Sequence, residues 1–329
     1  MGTNSVWHHQ VTRSVQETSR ATAGRTRAGS RLVVHQAMGK LAGFLREQAF
    51  LLFLPCLWPL WAVHAGAPAH PFLPKETWWH YGMAFCSATI FLGLIHITFR
   101  GSRLPFWNLV YCAAVVGTIG VALLLTFQWL AEWAVAHEVS NSNWMVAGLK
   151  VIGHANRVVQ HSGSLPLPLV LFGFVVGIGL CEEACKASFV EMPNDWRTAC
   201  KQGLACGVGF GVAEGLYYSG KVYNGEAGME TYVVRFMACV ALHALLSGGV
   251  AISLAHSSHG LWKSKATFVK VLLVPMLIHG LYDTFATFGM KQPADLCVGS
   301  SFAWLLILIL YSRTRDRIAR AKPTFYVSR

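Results

Sequence analysis

Charged residues are scarce in this sequence. Only 13% of its 329 residues are Asp, Glu, Lys or Arg, whereas 54% are apolar and the mean hydropathy is +0.44. A soluble domain of this length needs more surface charge than this composition supplies. The scarcity therefore excludes a soluble globular protein and predicts an all-α fold, a polytopic bundle of membrane helices.

Several short motifs are absent as well. The nine cysteines include no CxxC and no paired spacing, so we expect no disulfide framework and interpret them as small packing residues. Without an HExxH motif, zinc binding cannot be inferred from the sequence alone. No secretory signal peptide opens the chain. Residues 1–44 are rich in Arg, Ser, Thr and Gln, which predicts a disordered cytoplasmic tail; an organellar presequence would have a similar composition.

Long apolar runs are what the sequence has in abundance. Each approaches the roughly 20 residues that a helix needs to cross the hydrocarbon core of a bilayer. The runs predict about eight transmembrane helices in a single membrane domain, 45–312. They lie at 47–64, 80–99, 105–130, 166–190, 199–220, 232–256, 267–289 and 297–312.

The 27 Lys and Arg residues orient this bundle, because cytoplasmic flanks carry an excess of positive charge. Most of them fall on one side when both termini are placed in the cytoplasm, including those of a basic tail at 313–329. We therefore attribute the net charge of +12 to topology and to contact with acidic membrane lipids, and we expect no role in nucleic-acid binding.

The membrane domain divides into parts with different polarity. Helices within 45–130 contain almost no buried charge and are interpreted as a scaffold. Residues 131–165 include apolar positions at helical spacing and predict an amphipathic helix at the outer interface. The polar residues are confined to 166–290, which we interpret as the functional core.

Glycines at four-residue spacing predict close helix packing in this core. Small residues on one helix face let two backbones approach each other in lipid. We expect the fifth span to pack against the fourth and to bring Glu214 toward Glu182 and Glu183. The glycines concerned are Gly203, Gly207, Gly211 and Gly215 on span five, with Gly173 and Gly177 on span four.

Eight ionisable residues lie inside the last spans of the core. A charged side chain near the centre of a membrane helix costs on the order of 2.5–3.5 kcal/mol on insertion scales, so such residues usually have a functional role. They provide acid, base and metal-binding groups. Their estimated depths differ, so they can meet only if the helices tilt or the span boundaries shift by a turn. The residues are Glu182, Glu183, Lys186, Glu214, Arg235, His243, His279 and Asp283.

The order of these residues resembles that of a known family. Glu-Glu-x-x-Lys at 182–186, Phe-x-x-x-Glu at 210–214, Arg235 with His243, and His-x-x-x-Asp at 279–283 are similar to the PrsW family of intramembrane proteases. This family is distantly related to the CAAX prenyl protease and bacteriocin-processing group. The likeness covers roughly residues 166–290. One departure is Gly215, where many members have Asn after the glutamate of span five.

The resemblance implies a glutamate-dependent peptidase of the cell membrane, often described as a metalloprotease. Its substrate would be a single-span membrane protein, such as an anti-sigma factor cleaved outside the cytoplasm. Glu182 or Glu183 would be the base that activates water, with Lys186 adjusting its partner carboxylate.

Metal use stays open at this point. If zinc is present, Glu214, His243 and His279 would form a two-histidine, one-carboxylate ligand set, and Asp283 would orient His279 or the metal-bound water. Without metal, a glutamate and a histidine would activate water, and Arg235 or a histidine would bind the oxyanion.

Two other functions would also explain polar residues in membrane spans. A proton- or metal-coupled transporter places Glu, His and Asp there, but no inverted repeat relates the two halves of this chain. A non-catalytic membrane scaffold is the other alternative.

Overall fold

The computed structural model describes residues 78–99, 102, 104–140, 143–191, 195–220, 229–257 and 265–321. Helices are the only regular secondary structure in these residues, which confirms the all-α prediction. The predicted span at 47–64 and the predicted tail at 1–44 lie outside the described residues. The predicted tail at 313–329 is described only as far as residue 321, where it continues the last helix.

Eight helices make up the described part of the chain. Three of them, α2, α4 and α6, contain a π-helical turn, at Val116–Gly120, Gly173–Gly179 and Arg235–Cys239. The helices are α1 (Trp78–Thr98), α2 (Phe106–Ala136), α3 (Trp144–Gln160), α4 (Leu167–Ser188), α5 (Trp196–Tyr218), α6 (Met229–Val234, Arg235–Cys239 and Val240–Ser257), α7 (Lys265–Thr287) and α8 (Lys291–Ala321).

Six of these helices are long and apolar enough to cross a membrane, namely α1, α2, α4, α6, α7 and α8. The chain is therefore a multi-pass membrane protein. The total of about eight spans and the cytoplasmic position of both termini stay predictions.

Helix α5 is long enough to span but is not apolar enough to count among the six. Most of its residues are buried by neighbouring helices rather than exposed to lipid. On one side, Leu204 packs in a core with Leu92 of α1 and Leu109 of α2. A helix enclosed in this way does not need the hydrophobic surface of a lipid-facing helix.

The predicted amphipathic segment does form a helix, α3. Its first turn is capped by Asn143, whose side-chain oxygen accepts a hydrogen bond of 3.0 Å from the Val146 amide. Small residues of α3 pack on the protein: Gly153 lies against the Ala131 carbonyl, and Ala155 is fully buried. Trp144 stays 72% exposed. Its position at the outer interface stays a prediction.

The glycine stripe of α5 packs against α6, so its predicted packing against span four is wrong. A Cβ on Gly203 or Gly207 would meet the carbonyl oxygens of Ser247 or His243, and one on Gly211 would lie 2.9 Å from the Val240 Cα. The stripe therefore fixes α5 relative to the helix that carries His243. Four-residue spacing marks a face of close approach but does not say which neighbour fills it.

Helix α4 uses its small residues on two other neighbours. A Cβ on Gly177 would lie 2.6 Å from the Asn156 side-chain oxygen of α3. Gly179 faces α7, where a Cβ would lie 2.5 Å from the Met276 carbonyl oxygen. Gly280 of α7 in turn faces the Val175 backbone, where an added Cβ would lie 2.6 Å from the Val175 Cα. This close contact brings α7 to the part of α4 that precedes its two glutamates.

A substitution at Gly209 tests how far the fold depends on backbone contact. Its added Cβ would overlap the carbonyl oxygen of Ala113 in α2, so Gly209→Ala must push two helices apart. We expect a loss of roughly 1–3 kcal/mol, the usual cost of overpacking, measured as a lower thermal midpoint in detergent. Gly93→Ala is the matched control, because nothing lies within 4 Å of its added Cβ. An equal midpoint for both variants would contradict this packing.

Candidate active site

All eight ionisable residues predicted from the sequence belong to one polar cluster. They come from α4, α5, α6 and α7, and each contacts at least one other member through a hydrogen bond or ion pair. The individual roles assigned to them from the sequence stay predictions.

Glu183 lies at the centre of the cluster, with no exposed surface. Its Oε1 accepts a hydrogen bond of 2.6 Å from Lys186 Nζ and another of 2.8 Å from His279 Nδ1. Its other oxygen, Oε2, accepts no hydrogen bond from any described residue. The Lys186 ammonium offsets the charge of Glu183, which would otherwise be buried without compensation.

Glu214 plays the same part for the second histidine. Its Oε2 lies 2.5 Å from His243 Nε2, and its Oε1 accepts a hydrogen bond of 2.9 Å from Arg235 Nη2. Arg235 also stacks over the Tyr218 ring at 3.7 Å. Packing of the glycine stripe of α5 against α6 places Glu214 beside His243 and Arg235, since these two residues lie on α6.

These contacts determine which ring nitrogen of each histidine carries hydrogen. An ionised carboxylate only accepts, so His279 donates from Nδ1 to Glu183 and His243 donates from Nε2 to Glu214. The remaining nitrogens both face Glu182: its Oε2 lies 3.5 Å from His279 Nε2 and 3.9 Å from His243 Nδ1. This Oε2 is buried and accepts no hydrogen bond within the described part of the chain.

Glu182, His243 and His279 form the one group of three or more His, Cys, Asp or Glu residues, among those described, that could hold a metal ion. One ligand atom from each lies within 4.8 Å of the other two. Tetrahedral zinc, with bonds of about 2.0–2.1 Å, places its ligand atoms about 3.3 Å apart. The three ligand atoms must therefore move slightly closer together to bind it. The carboxylates of Glu183 and Glu214 are the outer partners that metal-binding histidines usually have.

The charges of the cluster also fit a divalent cation. Four carboxylates face two cationic side chains, so two negative charges are left when both histidines are neutral. Glu183 pairs with Lys186, and Glu214 pairs with Arg235. Glu182 and Asp283 are the two carboxylates that remain, and both lie near His279 Nε2. A buried excess of this size is costly unless a cation or protons offset it.

A family model matches residues 104–312, nearly two thirds of the chain. Its description is PrsW family intramembrane metalloprotease. The chain belongs to the PrsW family. No curated protein and no solved structure matches significantly. The match confirms the resemblance inferred from the sequence and extends beyond both ends of the core predicted at 166–290.

The structure groups a different carboxylate with the two histidines than the sequence-based ligand set did. The set predicted from the sequence was Glu214, His243 and His279. In the structure, Glu214 contacts the hydrogen-bearing nitrogen of His243, whereas Glu182 faces the second nitrogen of each ring. On His243 this second nitrogen also lies 2.9 Å from Lys186 Nζ. Glu182 therefore has the ligand geometry, and Glu214 has the geometry of an orienting partner.

Asp283 lies at the more accessible edge of the cluster. Its Oδ2 is 3.5 Å from His279 Nε2, and its side chain is 16% exposed, as is that of Glu214. The histidines and Glu183 are at most 1% exposed. The cluster is thus most accessible from the side of Asp283 and Glu214.

Sequence reasoning missed two residues that contact the cluster. The Cys239 sulfur lies 2.9 Å from Arg235 Nη1, and the Tyr282 hydroxyl lies 3.1 Å from the same sulfur. The spacing of four between Arg235 and Cys239 was a usable signal, because such residues share one helix face. Nothing in the sequence pairs Cys239 with Tyr282, since they lie on different helices.

The Glu183–Lys186 pair makes a prediction about stability. Glu183→Gln leaves the Lys186 ammonium buried without a carboxylate, so we expect a loss of roughly 3–5 kcal/mol. Lys186→Met should reduce the stability by a similar amount, because it leaves the Glu183 carboxylate buried without its lysine. The double variant, Glu183→Gln with Lys186→Met, should lose clearly less than the two single losses added together. Unfolding in detergent measures all three, and simple additivity would show that the two side chains do not stabilise each other.

Proposed function

We propose that this protein is a metal-dependent intramembrane peptidase that hydrolyses a peptide bond of a membrane-anchored protein. Membership of the PrsW family supports a protease, and one observation carries the catalytic type. Each histidine has one ring nitrogen held by a carboxylate, while the other faces the unpartnered Glu182 Oε2. This is the arrangement expected of a metal site with carboxylate-oriented histidines.

Glu182, His243 and His279 would hold the ion, and zinc suits this set of one oxygen and two nitrogens. When bound, the ion supplies Lewis acidity, which stabilises negative charge on the oxygen of the scissile carbonyl. Glu183 and Glu214 keep both histidines in the tautomer that leaves the facing nitrogen free of hydrogen.

Asp283 is our candidate for the group that takes a proton from the attacking water. It lies beside the ligand group and has no role in fixing a histidine tautomer, and its partial exposure gives water a route to it. After attack, the same carboxyl group can pass the proton to the leaving amine. The sequence-based prediction gave the role of base to Glu182 or Glu183. We now favour Asp283 because Glu182 faces both histidines and Glu183 is enclosed.

Arg235 is a positioning residue in this proposal. Its guanidinium holds Glu214 at 2.9 Å, and Glu214 in turn holds His243. Because this Arg235 Nη2 is already committed to Glu214, we no longer assign it to the oxyanion.

The substrate class is the one that the family resemblance implies, and the accessible side of the cluster supports the position of the cut. With the predicted cytoplasmic termini, Glu214 and Asp283 lie toward the outer ends of α5 and α7. A single-span protein of the cell membrane, such as an anti-sigma factor, would be cut near the outer end of its transmembrane segment.

Substitution of two of the proposed metal ligands, Glu182 and His279, tests the activity. Purified protein should cleave a model single-span protein tagged at both ends, and Glu182→Gln or His279→Ala should reduce the rate at least about 100-fold, since each removes a metal ligand. His154→Ala, an exposed histidine of α3, is the control and should keep the wild-type rate. Gel analysis of the two tagged fragments gives the rates. If either variant kept its fold and cleaved at the wild-type rate, the proposed site would be wrong. Solute flux without cleavage would favour a transporter.

Removal of metal tests the catalytic type. A membrane-permeant chelator should abolish cleavage, and a slight excess of zinc should restore it, because the ion is the group proposed to stabilise negative charge on the carbonyl oxygen. Protein stripped to far less than one metal per chain yet fully active would exclude a metallopeptidase. It would leave a glutamate peptidase as the remaining catalytic type.

A further inference from the structure

Lys186 occupies a position that a metal ion would need. Its Nζ lies 2.9 Å from His243 Nδ1, the nitrogen that faces Glu182. Since Nε2 of the same ring is held by Glu214, Nδ1 carries the lone pair, and the ammonium donates to it. One lone pair cannot serve an ammonium hydrogen and a metal ion at the same time.

We propose that Lys186 is a built-in competitor for the metal, holding His243 Nδ1 until a divalent cation displaces its ammonium toward Glu183. The inference rests on the proposed metal site formed by Glu182, His243 and His279. It assigns Lys186 a function beyond neutralising Glu183, because its position then sets the affinity of the site.

Electrostatics makes the two cations compete strongly. A divalent ion on His243 Nδ1 and an ammonium left in place would be separated by only a few ångströms in a buried site. Two like charges at such a distance repel each other strongly where little water screens them, and the divalent charge doubles this repulsion. The ammonium must therefore move when the ion binds.

The surroundings of Lys186 give the displaced ammonium somewhere to go. It already donates to Glu183 Oε1 at 2.6 Å, and the second oxygen of that carboxylate accepts no hydrogen bond from the described residues. The Phe210 ring lies below it, with its centroid 4.8 Å from Nζ. A small rotation of the flexible lysine chain can leave His243 without breaking the ion pair with Glu183.

The same movement would use both unpartnered oxygens of the cluster. In the metal-bound protein, Glu182 Oε2 would become a ligand and Glu183 Oε2 would accept from the displaced ammonium. Glu182 Oε2 and Glu183 Oε2, the two buried carboxylate oxygens of the cluster that accept no hydrogen bond from the described residues, are thus the two that this exchange requires.

Zinc affinity measured on variants of the full-length protein tests the inference. Lys186→Met removes the competitor, so we expect the dissociation constant for zinc to fall by at least about tenfold. Lys186→Gln is a second neutral variant, which can still donate to Glu183 if the Met variant folds poorly. Competition with a chromophoric chelator in detergent gives the constants, with zinc as the added metal. His243→Ala should weaken binding in the wild-type and the Lys186→Met backgrounds alike.

Two controls separate loss of the competitor from simpler effects. Arg235→Met also removes one positive charge from the cluster, but Arg235 is held by Glu214, which contacts His243 Nε2 rather than Nδ1, so this variant should tighten binding much less. Lys201→Met removes another lysine that is 1% exposed and instead contacts the Leu104 carbonyl oxygen, so it should leave zinc affinity unchanged.

The outcomes distinguish this inference from the proposed function. Wild-type protein that binds zinc with the same affinity as both Lys186 variants would overturn the role of Lys186 and leave the metal site intact. If Arg235→Met tightened zinc binding as much as the Lys186 variants do, the gain would come from the lower net charge of the cluster. That result would also overturn the role of Lys186. Zinc binding by neither wild-type nor variant protein would overturn the metal site itself and, with it, this inference.

Discussion

The buried carboxylate of Glu183 is the constraint on which the rest of the site depends. It accepts hydrogen bonds from Lys186 and His279 through a single oxygen, so it balances one cation and fixes one histidine tautomer. His279 can then face Glu182 with its other nitrogen, and Lys186 reaches His243. Without Glu183 the ammonium would be buried without a carboxylate, at a cost large compared with the net stability of a domain.

Close helix contacts bring these polar groups together. The glycine stripe of α5 against α6 places Glu214 beside His243, and the contact of Gly179 with α7 places His279 beside Glu183. In lipid, packing and hydrogen bonds rather than hydrophobic burial drive helix association. Small residues and the polar cluster therefore support each other, since each holds the same helices at the distance that the other needs.

Much of this architecture could be predicted from the sequence, because charged residues in apolar runs are costly and are rarely placed there without a role. The eight cluster residues were found in this way, and six of the seven apolar runs predicted within the described residues coincide with helices that are long and apolar enough to cross a membrane. The partner of the glycine stripe could not be predicted, nor could the choice between Glu182 and Glu214, because spacing on one helix does not specify contacts with another. Depth estimates also failed to place the residues together. The π-helical turns before Glu182 and His243, and Pro275 within α7, alter the helix geometry assumed in those estimates.

Glu182, His243 and His279 are proposed to form one metal site, with Glu183 and Glu214 as the carboxylates that orient its histidines. Anomalous diffraction at the zinc absorption edge, from crystals of the zinc-loaded protein, tests it most directly. We expect a single anomalous peak between Glu182 Oε2, His243 Nδ1 and His279 Nε2, at bonding distances of about 2.0–2.2 Å. A peak bound by other residues, or none at this position in crystals with zinc present, would contradict it.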